Sequence, residues 1–331
     1  MPIFIGRAGF LKNRSNGTVE SSIWLVKIGE TIRFHDMRDA CGLLLCFILR
    51  GAERVFSIEI FYRLLKPFAF ARAVFNTVFK RRQPYAPLPD CFGAEKPVLT
   101  GRQWRVNTYL NHVLDFFPER LATGKWKGRC RIEGIGHLQQ ARQDGRPVIL
   151  AFCHFGPYYL LRAWLRAAGF PVSFLVEGKI ENRSALNRFE DRLAIFPEIP
   201  NSFHLDELRK MAEFLDAGNP LLIAIDDEAG KQADVPFCDG WTFQMAAGAV
   251  RLAVRHQAEL IPCTIVDEGR WHFRIELGRP VPGEFLSAEA GWVRAGKHLL
   301  DEMLPHFQGR PEQRTADLVR RLKRNSSTAA P

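Results

Sequence analysis

The sequence predicts an α/β protein: a largely parallel mixed sheet with helices on both faces, preceded by an N-terminal helical region. Three observations lead there. From about residue 129, apolar runs of strand length alternate with stretches of helical periodicity, the pattern of a sheet wound with helices. One run, Val148-Ile-Leu-Ala-Phe-Cys153, is apolar without a break, as in a strand covered on both faces. The last two runs, Ile261 to Val266 and Trp271 to Leu277, are separated only by Asp267-Glu-Gly-Arg270. They read as an antiparallel hairpin, which makes the sheet mixed.

Taken in order, residues 1–35 read as irregular or partly helical, with Asn13-Arg-Ser-Asn-Gly17 a loop. Helices are expected over about 40–82, broken near Pro67, since a proline removes one helical hydrogen bond. Pro84-Tyr-Ala-Pro-Leu-Pro89 has the composition of a linker. A helix is expected from Gly101 toward Phe117-Pro118, and strands near 147–153, 172–177, 221–226, 260–266 and 271–277. After Gln313 a basic helix and a polar end are expected. The chain divides into 1–100 (helical, a candidate for membrane association), 101–310 (the α/β domain) and 311–331 (a basic helix and tail).

Composition narrows the partners. The 331 residues carry a formal net charge of +10, which draws the protein to something anionic: nucleic acid, an acidic membrane face or an acidic carrier protein. No aromatic-basic run or helix-turn-helix signature supports nucleic acid. Seven cysteines with no Cys-x-x-Cys pair argue against a disulfide framework and a zinc site. Cys130, Cys153 and Cys263 sit among apolar neighbours as small core residues. The most apolar stretch, Cys41 to Leu49, falls well short of the roughly 20 residues needed to span a bilayer, and no cleavable leader is recognisable. Residues 59–82 combine a Phe-rich face (Phe61, Leu64, Leu65, Phe68, Ala71, Phe75, Val78, Phe79) with Arg63, Lys66, Arg72, Lys80, Arg81 and Arg82. Such a helix either lies on anionic lipid or packs on the domain with its cations in water.

The chemistry concentrates at His154. It follows the buried strand directly and precedes Phe155-Gly-Pro157, where Pro157 suits a first helical turn and Gly169 its far end. Open α/β sheets carry their chemistry at the carboxyl ends of strands. Cys153 is a poor nucleophile there, because strand alternation turns adjacent side chains to opposite faces. Asp226, Asp227 and Glu228 also end a strand; they suit base partners, a Mg²⁺ ligand set or a solvated loop. Lys179, soon after a strand end, and Arg183 are candidate anion-binding residues, with charged helix faces as the alternative. No Gly-x-Ser-x-Gly elbow is present.

His154-Phe-Gly resembles the first motif of the bacterial late acyltransferases of lipid A synthesis, within the lysophospholipid acyltransferase-like superfamily. The Asn-rich Asn107 to Arg120 segment with Phe117-Pro118 resembles the family's helix before the catalytic domain. Leu221 to Asp227 resembles its strand ending in Asp-Gln, and Val235-Pro-Phe-Cys-Asp-Gly240 its Val-Pro-Phe-Phe-Gly segment. Gly248 to Ala253 and Leu260 to Val266 are similar to the helix and strand that follow. The chain departs from the family at Tyr159, where the motif has an acid, and at Asp227, where it has Gln.

The resemblance implies a histidine base at His154, an oxyanion held by amides near Gly156 or a basic side chain, and no cofactor. A thioester, acyl-ACP or acyl-CoA, would donate to a lipid or glycolipid acceptor at the cytoplasmic face of the inner membrane, held peripherally. Because Tyr159 is not an acid, either Asp226 or Asp227 substitutes for it, Tyr159 itself is the partner, or the chain is a non-catalytic relative that binds lipid or joins a complex.

Overall fold

The computed structural model describes residues 24–27, 30–33, 37–78, 92, 101–176, 199–200, 202–228, 230–286 and 291–324. Its centre is a 7-stranded sheet. In chain order its strands are β3 (Cys130–Glu133), β4 (Val148–Phe152), β5 (Ser173–Val176), β6 (Ser202–His204), β7 (Leu221–Ala224), β10 (Glu259–Gly269) and β11 (His272–Leu277). The spatial order is β3-β11-β10-β4-β7-β5-β6. All neighbouring pairs are parallel except β10 with β11, the expected hairpin. The α/β class and the mixed, largely parallel sheet are therefore as the sequence predicts.

Strand β4 explains why both faces are covered. Val148, Leu150 and Phe152 join one apolar cluster, while Ile149, Ala151 and Cys153 join the other. An uninterrupted apolar run is what a strand with two buried faces requires. One face is covered by α1 (Met37–Val55), α2 (Ile58–Val78), α3 (Gly101–Asn111), α4 (Ile135–Gln143) and α5 (Leu161–Ala167). The other carries α6 (Leu208–Asp216), α7 (Gly248–His256) and α8 (Gly291–Gly309).

The structure corrects three expectations. Within 1–35, expected to be irregular or partly helical, β1 (Trp24–Lys27) and β2 (Glu30–Arg33) form an antiparallel pair. Their residues, Trp-Leu-Val and Thr-Ile, are strand formers. The break in the N-terminal helices falls at Phe56-Ser57 rather than Pro67, which lies inside α2. Pro67 and Arg63 are both exposed, so the carbonyl left without its donor lies on the solvent side. Finally, the segment after Gln313 forms only a short helix, α9 (Ala316–Arg320), before β12 (Leu322–Arg324). That strand completes a second, 3-stranded sheet with β9 (Trp241–Ala246) and β8 (Gln232–Pro236).

Helices α1 and α2 are apolar on two sides. Leu49, Ile58, Phe61, Ala69 and Ala73 are buried in the same cluster as the sheet, with Phe61 against Phe117 and Trp271. Glu53 is buried, receives the indole N–H of Trp126 at 2.8 Å and pairs with Arg120 and Lys125. On the other side Leu44, Phe47, Ile48, Val55, Ile60, Leu64, Phe68 and Phe75 are exposed, Phe68 at 75% and Val55 at 77%. The stripe expected on α2 is thus split: Phe61 faces the core, while Leu64, Phe68 and Phe75 face outward. Among the described residues no helix is long and apolar enough to cross a membrane.

Candidate active site

Two adjacent strands bring His154 and Asp226 together. Strand β4 lies beside β7 in parallel, with Phe152 opposite Ala224, and the Ile225 amide donates to the Phe152 carbonyl at 2.8 Å. Two residues further along each chain, at the carboxyl edge of the sheet, the same register sets His154 against Asp226. The Asp226 carboxylate accepts the His154 main-chain N–H and the ring Nδ1–H, both at 2.8 Å. Its side chain is fully buried, so these two donors compensate a charge that would otherwise be costly to hold away from water. With Nδ1 as donor, the neutral ring carries its lone pair on Nε2, the tautomer a general base needs.

The electrostatics are consistent with a charged-partner pair. Burial pushes the His154 imidazole down, but the hydrogen bond and charge of Asp226, joined by Asp227 and Asp317, outweigh it. The ring therefore titrates above the ordinary histidine value. Tyr158 meets the His154 ring edge-on at 4.5 Å, and burial with the same three carboxylates pushes its phenol up to about 12, so it stays protonated at neutral pH. Cys153 is turned the other way, with its Sγ 3.8 Å from Met303 Sδ in the core; burial raises that thiol far out of the nucleophilic range.

His154 opens on a cavity of about 450 Å³, a size suited to a small ligand or part of a larger one. Phe152, Ala163, Phe174, Leu175 and Val176 supply an apolar wall. Asp115, Tyr158, Arg162 and Asp227 add polar groups, with the Arg162 guanidinium 5.6 Å from the Phe174 ring centroid. Sequence reasoning missed Arg162 and Asp115. The signal for Arg162 was its spacing: it follows Tyr158 by one helical turn in the segment leaving His154.

Of the other candidates, Asp227 lines the cavity and adds its charge to His154. Tyr159 also lines the cavity, but its hydroxyl donates to the Thr108 carbonyl at 3.3 Å and its ring stacks on His112 at 4.1 Å. Lys179 and Arg183 lie outside the described residues. Gly156 requires correction as an oxyanion donor, because its amide already donates to the Gln313 carbonyl at 2.9 Å. What position 156 demands is glycine: φ is +59°, and an added Cβ would sit 2.2 Å from the Ile265 carbonyl oxygen. Gly156→Ala should therefore lower stability by about 2 kcal/mol or more, read as a fall in the urea midpoint at unchanged slope. Among the described residues no group of three His, Cys, Asp or Glu side chains is arranged to hold a metal.

The model of the bacterial lipid A biosynthesis acyltransferase family matches residues 112–281, about half of the chain, from just past helix α3 through the β10–β11 hairpin. The chain belongs to that family. No curated protein matches it. Among solved structures it is similar to the 1-acyl-sn-glycerophosphate (LPA) acyltransferase PlsC from Thermotoga maritima, at 16% identity, over 76% of this chain and 98% of that one, with a TM-score of 0.39. In this member of the lipid A acyltransferase family Tyr159 stands five residues after His154, and the carboxylate on His154 is that of Asp226, just beyond β7.

Proposed function

We propose that the protein is an active acyltransferase that moves an acyl chain from a thioester, acyl-ACP or acyl-CoA, to a hydroxyl or amine of a lipid or glycolipid. The observation that carries this reading is the buried Asp226 carboxylate on His154 Nδ1. Nε2 takes the proton from the acceptor hydroxyl as its oxygen attacks the thioester carbonyl carbon, whose electron pair moves onto oxygen. Collapse of that oxyanion breaks the carbon–sulfur bond, and the leaving thiolate takes the proton from Nε2. Arg162 is the cavity cation suited to the developing negative charge. The reaction needs no cofactor, since the thioester already carries an activated carbonyl. Asp226 also weakens the case for a non-catalytic relative, which rested on the missing acid at Tyr159. The decisive assay is release of free thiol from an acyl thioester by purified protein with a lipid acceptor, together with lipid profiles of cells with and without it. No acceptor-dependent thiol release and unchanged profiles would reject the reading.

The same reading puts the protein at the cytoplasmic face of the inner membrane, held peripherally. The exposed apolar side of α1 and α2 supports it, since soluble surfaces rarely leave so many large apolar side chains together. Exposed Arg63 and Lys66 on α2 suit an anionic surface, and the expected contributors Lys80, Arg81 and Arg82 lie outside the described residues. Leu44→Ser with Phe68→Ser should weaken binding to phosphatidylglycerol-containing vesicles by about 3 kcal/mol, roughly 100-fold. Co-sedimentation that is unchanged by the double substitution counts against membrane docking through this face.

A further inference from the structure

The histidine and aspartate lie beyond the last paired residues of β4 and β7, so the sheet ladder alone does not hold them. Beyond the Asp226 carboxylate on the His154 amide, their main-chain carbonyls are held by the segment from Pro311 to Arg324, outside the family match. Thr315 Oγ1 donates to the His154 carbonyl. Arg321 Nε donates to the Asp226 carbonyl at 3.0 Å. Arg314 forms a β-bridge with Phe155, and the Gln313 carbonyl receives the Gly156 amide at 2.9 Å. The segment is itself anchored at both ends. Fully buried Gln313 makes a two-point contact with the main chain of Asp267, at 3.0 and 2.7 Å, and β12 pairs with β9.

We infer that residues 311–324 form a brace that positions the His154–Asp226 pair, with Thr315 and Arg321 as positioning residues acting through the two main-chain carbonyls. This rests on the acyltransferase reading of His154 and names residues that its own chemistry does not require. The physical case is one of tolerance: catalytic groups held 1 Å out of place lose on the order of 100-fold in rate. Arg321 is buried and also reaches Gln244 Oε1 at 3.5 Å and Glu228 at 3.4 Å, so its hold on Asp226 is one arm of a fixed fork. Thr315 is the better probe. Its hydroxyl also accepts the Leu318 amide at 3.2 Å, which starts helix α9 on the residue that grips His154.

The test uses the full chain with Thr315→Val, which keeps the shape and removes the donor, and Thr315→Ser, which restores it. Thr315→Val is expected to lower kcat about 10- to 100-fold with KM within about twofold, and Thr315→Ser to recover most of it. A second readout is independent of turnover: the His154 titration followed by NMR. The groups facing that ring are Asp226 and Asp227 from the end of β7, Asp317 from α9, and Tyr158. A loosened Asp226 contact leaves burial less opposed, so the titration should move to lower pH in Thr315→Val and return in Thr315→Ser. An unchanged titration with unchanged kcat overturns the brace and leaves the acyltransferase reading standing. If wild type shows no turnover, that reading fails, and the titration alone still decides whether the brace holds the pair. A fall in unfolding midpoint with the titration unmoved reduces Thr315 to a helix cap and also overturns the proposal.

Discussion

His154→Gln should lower turnover on the order of 10⁴-fold while leaving the protein folded, because it removes the only lone pair able to take the acceptor proton from this ring position. Glutamine is the informative replacement. Asp226 is fully buried and takes two donors from His154, one from the main chain and one from the ring. A glutamine amide N–H is able to stand in for the Nδ1 donor, so the buried charge keeps both partners. His154→Ala removes that second donor, and an uncompensated acceptor of this kind costs about 1–3 kcal/mol. The alanine variant is therefore expected to lose both activity and stability, and the glutamine variant activity with little stability. Thiol release and urea unfolding on the two proteins separate the effects. Wild-type turnover in His154→Gln would end the case for His154 as base.

How much of this was visible in the sequence depends on the range of the interaction. The unbroken run Val148 to Cys153 announced a doubly buried strand, and it is one. Each residue of that strand reports its own burial, so the signal is local. The short joint between Val266 and Trp271 announced the hairpin for the same reason. The pairing of His154 with Asp226 is of another kind. It depends on β4 lying beside β7, which are separated in the chain by α5, β5, β6 and α6 among others, and strand order leaves no mark within any one strand. Spacing along the chain pointed instead to Tyr159. There the chain turns through Tyr158–Leu160 before α5, and the Tyr159 ring is taken up by His112. The second sheet was missed because β8, β9 and β12 are short, half-exposed or split between distant segments, so no apolar period announces them. Thr315 and Arg321 carried no sequence signal at all: a hydroxyl or guanidinium that binds a main-chain carbonyl reads like any polar residue on a terminal helix.

Asp226→Asn should lower turnover by about 10⁴-fold, close to the loss seen when a hydrolase triad loses its carboxylate. An amide offers one acceptor and one donor where the site has two donors to satisfy. Either the His154 main-chain N–H or its ring nitrogen then faces an N–H, and an Nδ1 that accepts carries its proton on Nε2, the wrong tautomer for a base. The pH dependence provides a sharper check. In wild type Asp226, with Asp227 and Asp317, holds the ring above the ordinary histidine value against burial. The base works only when neutral, so activity should be lost as pH falls through that raised value. Stability runs the other way: a raised folded-state pKa contributes fully below the unfolded value, about 6.5, and its contribution is lost as pH rises through the folded value. Activity and stability should thus move in opposite directions across one window just above neutral-histidine titration. In Asp226→Asn burial prevails, and the residual activity should have its ascending limb at lower pH. Tyr159→Phe should stay within a few-fold of wild type, since the phenol spends its proton on Thr108. Tyr159→Glu should not rescue Asp226→Asn: position 159 is half-buried against Thr108 and His112, and the burial and nearby Asp115 and Asp267 that raise the Tyr159 phenol would hold the introduced carboxyl protonated. A Tyr159→Glu rescue, or an Asp226→Asn enzyme with an unshifted limb and near-normal rate, would remove Asp226 from the mechanism and return the role to position 159.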